Sequence, residues 1–538
     1  MKGENEVKKI LNKFPPMLML AISAFFTALP LVITELGFLQ WISVIPTALV
    51  LIQSISDRET KLKKMYGRGL IFFWIYYAVV FHWFFYMYPL DFAGLSNAAS
   101  LVVVFVACLG LSLIQALISA VAFVLIAAIS RTKIVGKRPL LTPFVAAAVW
   151  VVTEWFQTVG WWGVPWGRLP LGQIDATLLV RSSAIFGSYF VTFTIIAVNF
   201  LLAIALMKTD ARKLGATLAV ALFCINLALG IAVTVSYKDS GETVRVAAAQ
   251  GNVSSSDKWD ADSLDKTMEI YADLTESAAD NGAEIVVWPE TALPYDLFNN
   301  ERLYNYVSEL AREHQVTILV SAFTKDEESD QLYNSVIEIK PDGNFGETIY
   351  SKQRLVPFGE FVPMRELIMF LIPPLANVGM LDEDLLAGKD STVISTESGD
   401  IGCGICFDSI YETLMLNSVR NGAELIAIST NDSWFSDSAA LDMHNSQSRL
   451  RAIETGRYVV RSANTGISSV IDPLGNVKEE LGALKRGYVI SNARLKNDIT
   501  IYTTIGNVFV YMCIAFCVAI VVIHIYQKLR NNKFIKNS

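Results

Sequence analysis

Apolar positions follow two different patterns along this 538-residue chain. In residues 1–237 and again after 503 they form near-continuous runs long enough to cross a bilayer, for which about 20 residues suffice. These runs predict spans at 17–35, 37–54, 69–90, 99–129, 141–157, 183–206, 214–236 and 504–526, the first two divided only around Glu35 to Gly37. Between the seventh and eighth spans the pattern changes, as short β-rich apolar runs alternate with amphipathic stretches. Strands are expected at 244–249, 284–288, 316–323, 333–339, 347–350, 401–406, 424–429, 459–462, 466–471 and 487–492, with helices at 262–281, 301–313, 411–421 and 445–458. That alternation predicts a layered α/β domain. The expected division is a seven-helix transmembrane domain at 1–237, an α/β domain at 238–503, and a last transmembrane helix and tail at 504–538.

Composition agrees with a membrane protein. With 53% hydrophobic and 18% charged residues the chain is neither a single soluble globule nor disordered. The net charge of −7 conceals a division: residues 238–503 hold 42 acids and 22 bases, the remainder 9 acids and 22 bases. No long basic face accompanies the acidic block, so nucleic acid is not expected as a partner. Twenty of the 22 bases outside the block lie at the N-terminus, in alternate loops or in the C-terminal tail, leaving only Arg168 and Arg181 on the other side. Because Lys and Arg are retained in the cytoplasm, both termini are expected there and the acidic block outside it.

Smaller features refine this reading. The stretch 364–380 is apolar but too short and Pro-broken to be a ninth span, and is expected to dip as an arm into the outer leaflet. The loop Gln157 to Gln173 holds Trp161, Trp162, Trp166 and Arg168, either an interfacial belt or a segment whose Arg168 meets a lipid phosphate. Glu154, near the end of a span, calls for an inward partner. Of six cysteines, four lie in apolar spans; Cys403 and Cys406 have redox or half-zinc spacing, but no second pair exists. The four histidines show no ligand spacing, so no metal or other cofactor is expected.

Three residues of the block suggest chemistry. Cys406 ends a Gly-rich strand and leads into a helix, whose positive end would favour the thiolate; taken alone it reads first as an inert buried thiol. Glu290 follows Val286-Val287-Trp288-Pro289 at a strand end, where active-site residues collect in α/β sheets, and could take a proton from a thiol or merely cap a helix. Lys352 lies in a charged segment among apolar residues, where an ammonium could stabilise an oxyanion; Glu360 follows in the same segment.

The order Trp288-Pro289-Glu290, then Lys352-Gln353-Arg354-Leu355-Val356-Pro357-Phe358-Gly359-Glu360, then Gly404-Ile405-Cys406 resembles the nitrilase, or carbon-nitrogen hydrolase, superfamily. The likeness extends to Lys258-Trp259, Asn431-Asp432-Ser433-Trp434-Phe435 and 449–457. With its spans, the whole chain resembles the apolipoprotein N-acyltransferase family. That resemblance implies an α-β-β-α sandwich on a multi-span domain in a bacterial cell membrane, and a monomer without cofactor. It implies transfer of an acyl chain from a phospholipid, through a thioester on Cys406, to the α-amine of a diacylglyceryl apolipoprotein. Glu290 would be the base, Lys352 the oxyanion stabiliser and Glu360 an auxiliary acid. Trp259 and Trp434 would stand at the mouth of the site, with Phe407, Asp408 and Arg168 as further candidate substrate contacts. Phe407-Asp408 departs from the Tyr-Glu common in the family, and Ser436 from a usual glycine. In a compartment that permits disulfides a Cys403–Cys406 bond is conceivable, though strand geometry would hold the thiols apart. The alternatives are a membrane-tethered amidase of the same fold, with water as acceptor, and a transporter, which few ionisable residues in the spans support.

Overall fold

The computed structural model describes residues 14–90, 95–207, 210–254, 258, 261–371 and 384–536. The chain forms two units: one runs through Phe85, Val102–Ser236 and on from Ile505, the other comprises Tyr86–Leu101 and Tyr237–Thr504.

The first unit is helical. Six stretches among the described residues are long and apolar enough to cross a membrane: Thr34–Ser56, Asn97–Ser130, Pro139–Phe156, Ser188–Met207, Arg212–Ser236 and Val508–Asn531. Two expected spans fall short of those criteria. Pro16–Val32 has 17 residues, and Leu62–Val80 carries Lys63, Lys64 and Arg68 in its first two turns. The expected span at 183–206 is divided, because Ser183–Phe186 ends at Gly187, whose φ of +76° starts the chain afresh at Ser188. Polarity is distributed inside out. Arg212–Ser236 and Val508–Asn531 are only 17% buried, with Val220, Ile225, Val235, Met512 and Val522 facing outward, a surface suited to lipid rather than water. Polar groups turn inward. Glu154 accepts hydrogen bonds from the Leu169 amide at 3.1 Å and the Thr192 hydroxyl at 2.6 Å. Gln173 bridges Gln40 and the Trp41 indole.

The second unit contains two sheets. The first has strands β1 (Thr243–Gln250), β2 (Ile285–Val287), β3 (Leu293–Asp296), β4 (Thr317–Lys325), β5 (Leu332–Ile339) and β6 (Phe345–Ser351). The second has β7 (Val393–Thr396), β8 (Gly399–Ile405), β9 (Leu425–Thr430), β10 (Val459–Ala463), β11 (Ser468–Ile471) and β12 (Val477–Leu481), and β13 (Gly487–Arg494) returns to the first. Their orders are β13-β1-β2-β4-β5-β6, with β3 on β4, and β12-β11-β10-β9-β8-β7. Strands β1, β2 and β4 are mutually parallel, as are β8, β9 and β10.

Alternation along the strands builds the layers. On β1, Val244, Val246 and Ala248 join Ile285, Leu319, Ile401, Ile405 and Val460 in a core between the sheets. Ala247 and Ala249 point the other way, to a second core under the helices Leu264–Asp280 and Glu301–His314. The helices Glu412–Arg420 and Ala440–Thr455 pack against β8, β10 and β11 of the second sheet. The result is the expected α-β-β-α sandwich. Strands β3, β7 and β12 were not expected: the middle of β12 is Lys478-Glu479-Glu480, exposed, and an edge strand tolerates such a sequence. Of the expected arm, Arg365–Leu371 is a short helix with Leu367 and Phe370 exposed, and 372–383 lie outside the described residues.

Candidate active site

Strands β2, β4 and β6 run in the same direction, so the segments after β2 and β6 emerge at one end of the first sheet. There Lys352, only 1% exposed, donates to Glu290 Oε1 at 2.7 Å and to Glu360 Oε1 at 2.8 Å. Asn334, at the start of β5, donates to the same two oxygens at 2.9 and 3.3 Å, and its carbonyl accepts from the Lys352 amide. The second oxygen of Glu290 accepts from the Asn431 amide, beyond β9, at 2.9 Å, and that of Glu360 from the Val356 amide at 2.8 Å. Burial opposes the charge on Lys352, but the Glu290 and Glu360 carboxylates outweigh it and raise its pKa well above the ordinary lysine range.

Cys406 follows β8 directly and starts a five-residue 3-10 turn, Cys406–Ile410, with a left-handed φ of +49°. Such a backbone is strained for a residue with a Cβ. The thiolate expected from a helix dipole is not what the site favours. The turn is one short 3-10 segment, and burial first, then the Glu290 carboxylate, push the thiol pKa upward; the Lys352 ammonium opposes only in part. Cys406 therefore rests as a neutral thiol and needs a base. Alkylation of Cys406 by iodoacetamide, followed by peptide mass spectrometry, is expected to accelerate about tenfold per pH unit up to pH 9 without a plateau; a plateau below pH 8 would contradict a neutral resting thiol. Cys403 is a separate, free thiol buried in the inter-sheet core, and burial pushes it up to about 12.

Asp408 is fully buried and accepts from Tyr350 Oη (2.8 Å) and the amides of Gln353 (3.2 Å), Arg354 (2.8 Å) and Ile405 (3.1 Å). Burial nevertheless raises its pKa to about 6. Expected as a substrate contact, it instead ties the Lys352 segment to the Cys406 turn. Phe407 packs edge-on against Tyr411 at 5.6 Å, and Trp434 is half-buried in the 3-10 turn Ser433–Phe435. Trp259 lies outside the described residues. Arg168 belongs to the helical unit, fully buried over the Tyr189 ring at 5.5 Å, which disfavours the lipid-phosphate alternative of the two readings of its loop.

Two further groups join the site, Lys258 from a quoted segment to which no role was given and His444 from none. Lys258, also buried, donates to the Glu290 backbone carbonyl at 2.7 Å, and burial lowers its pKa to about 8 against the pull of the Glu290 carboxylate. His444 Nδ1 lies 2.8 Å from Asp432 Oδ1, and Arg461 donates to Asp432 Oδ2 at 2.7 Å. His444, Asp432 and Cys406 bring potential metal ligands within 4.8 Å of one another. Asp432, however, is already engaged by His444, Arg461 and Thr430, and the neighbouring guanidinium opposes a cation there. The quoted segment Asn431-Asp432 pointed to this region, but nothing in the spacing of His444 marked it.

A two-sheet sandwich with a cysteine, a lysine and two glutamates at its strand ends is the arrangement of a carbon-nitrogen hydrolase, and the family model of that description matches residues 245–498. A second model, the apolipoprotein N-acyltransferase N-terminal domain, matches residues 23–201. The chain belongs to the apolipoprotein N-acyltransferase family. The apolipoprotein N-acyltransferase of Gloeobacter violaceus is 31% identical over 481 residues, 89% of this chain and 88% of that protein. Those of Geobacter metallireducens (31% over 68% of this chain and 71% of the relative) and Methylococcus capsulatus (30% over 74% and 76%) are also similar.

Proposed function

We propose that this membrane enzyme transfers an acyl chain from a phospholipid to the N-terminal amine of a diacylglyceryl lipoprotein, with Cys406 as nucleophile. The observation that carries the mechanism is the Lys352 ammonium held between Glu290 and Glu360 beside a neutral Cys406 thiol. Glu290 takes the thiol proton as sulfur attacks the donor's ester carbonyl. The oxyanion forms near Lys352, whose charge the two carboxylates preserve. Collapse expels the lysophospholipid oxygen, which takes the proton from Glu290 and leaves a thioester. A neutral amine then attacks the thioester, Glu290 accepts its proton, and collapse to the amide returns that proton to the sulfur. Glu360 keeps Lys352 in place.

The positive-inside distribution of bases supports eight crossings with cytoplasmic termini and an extracytoplasmic catalytic unit. Adding Leu62–Val80 and Pro16–Val32 to the six long stretches gives that count. The enzyme works as a monomer. Incubating it with acyl-labelled phospholipid and a diacylglyceryl-cysteine peptide should give labelled N-acyl peptide. Labelled free fatty acid alone would favour the hydrolase with water as acceptor.

A further inference from the structure

A buried polar chain that the mechanism above does not use lies on the protein side of the nucleophile. His444, on the helix Ala440–Thr455, is 1% exposed. Its Nδ1 faces Asp432 Oδ1 at 2.8 Å; its Nε2 lies 3.1 Å from Ser409 Oγ and 3.3 Å from the backbone carbonyl of Cys406. Ser409 in turn donates to the same carbonyl at 2.7 Å. Behind Asp432 the Arg461 guanidinium, on β10, is anchored by the Ile467 carbonyl and the Ser448 hydroxyl, and Thr430 donates to Asp432 Oδ1 at 3.0 Å. Arg461, Asp432 and Ser409 are each fully buried, and the Phe435 ring closes the set at 6.1 Å from the imidazole.

Direction of donation follows from charge. Asp432, paired with Arg461, is an ionised acceptor, so His444 places a proton on Nδ1 and leaves Nε2 as an acceptor, and the single Ser409 hydroxyl proton lies between that Nε2 at 3.1 Å and the Cys406 carbonyl at 2.7 Å, joining the two. This chain ends on the carbonyl of Cys406, the residue in the left-handed conformation. Asp408 braces the turn from one side and the His444 chain from the other, and a left-handed non-glycine residue persists only where its surroundings enforce it.

We infer that His444 is a positioning residue for the acyl transfer: through Ser409 and the Cys406 carbonyl, the Arg461–Asp432–His444 chain holds the nucleophile's elbow so that Sγ meets the ester carbonyl. The inference rests on Cys406 being the nucleophile. A small misplacement of an attacking atom slows chemistry on the order of 10²-fold without changing binding.

The test uses the full-length enzyme in detergent with phospholipid, following acyl-Cys406 by intact mass. His444→Asn should lower the acylation rate constant about 10- to 100-fold while KM for the phospholipid stays within about twofold. His444→Gln, which still extends an amide toward Ser409, should recover much of the loss. Equal rates in His444→Asn and wild type, a loss residing in KM, or no difference between Asn and Gln would overturn the proposal. Should His444→Asn fail to fold, Ser409→Ala, which cuts the chain at its last link, is judged by the same split between rate and KM. Absence of any adduct in the wild-type enzyme would instead refute Cys406 as nucleophile.

Discussion

Cys406→Ser should eliminate the acyl-enzyme: intact-mass analysis after exposure to phospholipid shows no acyl shift, and N-acyl peptide formation falls by at least about 10⁴-fold. The reason is the environment of the sulfur. Burial and the Glu290 carboxylate already make the thiol hard to ionise, and an alcohol in the same place is a far weaker acid. Glu290 cannot remove its proton in a useful fraction of encounters. The hydroxyl replacement is close in size to the thiol, so the thermal unfolding midpoint should stay near that of the wild type. A serine variant retaining full activity would remove Cys406 from the mechanism.

Lys352→Met should harm both catalysis and folding. Turnover should fall on the order of 10³-fold through loss of oxyanion stabilisation. Removing the ammonium also leaves the Glu290 and Glu360 carboxylates facing the same Asn334 amide without the cation that joins them, and breaking a buried pair in this way destabilises by about 3–5 kcal/mol. The pH dependence gives the sign. In the wild type the folded pKa of Lys352 lies above its ordinary value near 10.5, so its contribution is complete below that pH and is lost as pH rises beyond it. Chemical denaturation of wild type and variant measures the loss: a variant as stable as the wild type would show that the carboxylates do not depend on Lys352.

The two-texture pattern made the architecture legible, because a lipid-facing helix and a half-buried strand impose such different spacings on apolar residues. The ten expected strands all exist. What escaped was short or exposed: β3 and β7 span four residues each, and β12 is an edge strand with a charged centre. Span counting suffered from the opposite problem, since apolar runs continue through the 3-10 segment Thr34–Leu39 and past the break at Gly187, where only backbone geometry marks an end.

Residue types and their order along the chain thus established the fold class, the membrane association and the identities of Glu290, Lys352 and Cys406 as candidates, because each stands at a strand end or in a motif readable over a few neighbours. Their protonation states and supports required the folded chain. Only there do segments 62 residues apart bring Lys352 to Glu290, does burial turn an expected thiolate into a thiol, and does Asp408 become a tie between two loops. Arg168 illustrates the same limit, since a basic residue among tryptophans reads as lipid-facing until packing encloses it against Tyr189. His444 was invisible for the same reason: its partners Asp432, Ser409 and Arg461 lie 12, 35 and 17 positions away, and desolvation and hydrogen-bond direction are properties of neighbours in space, not in sequence.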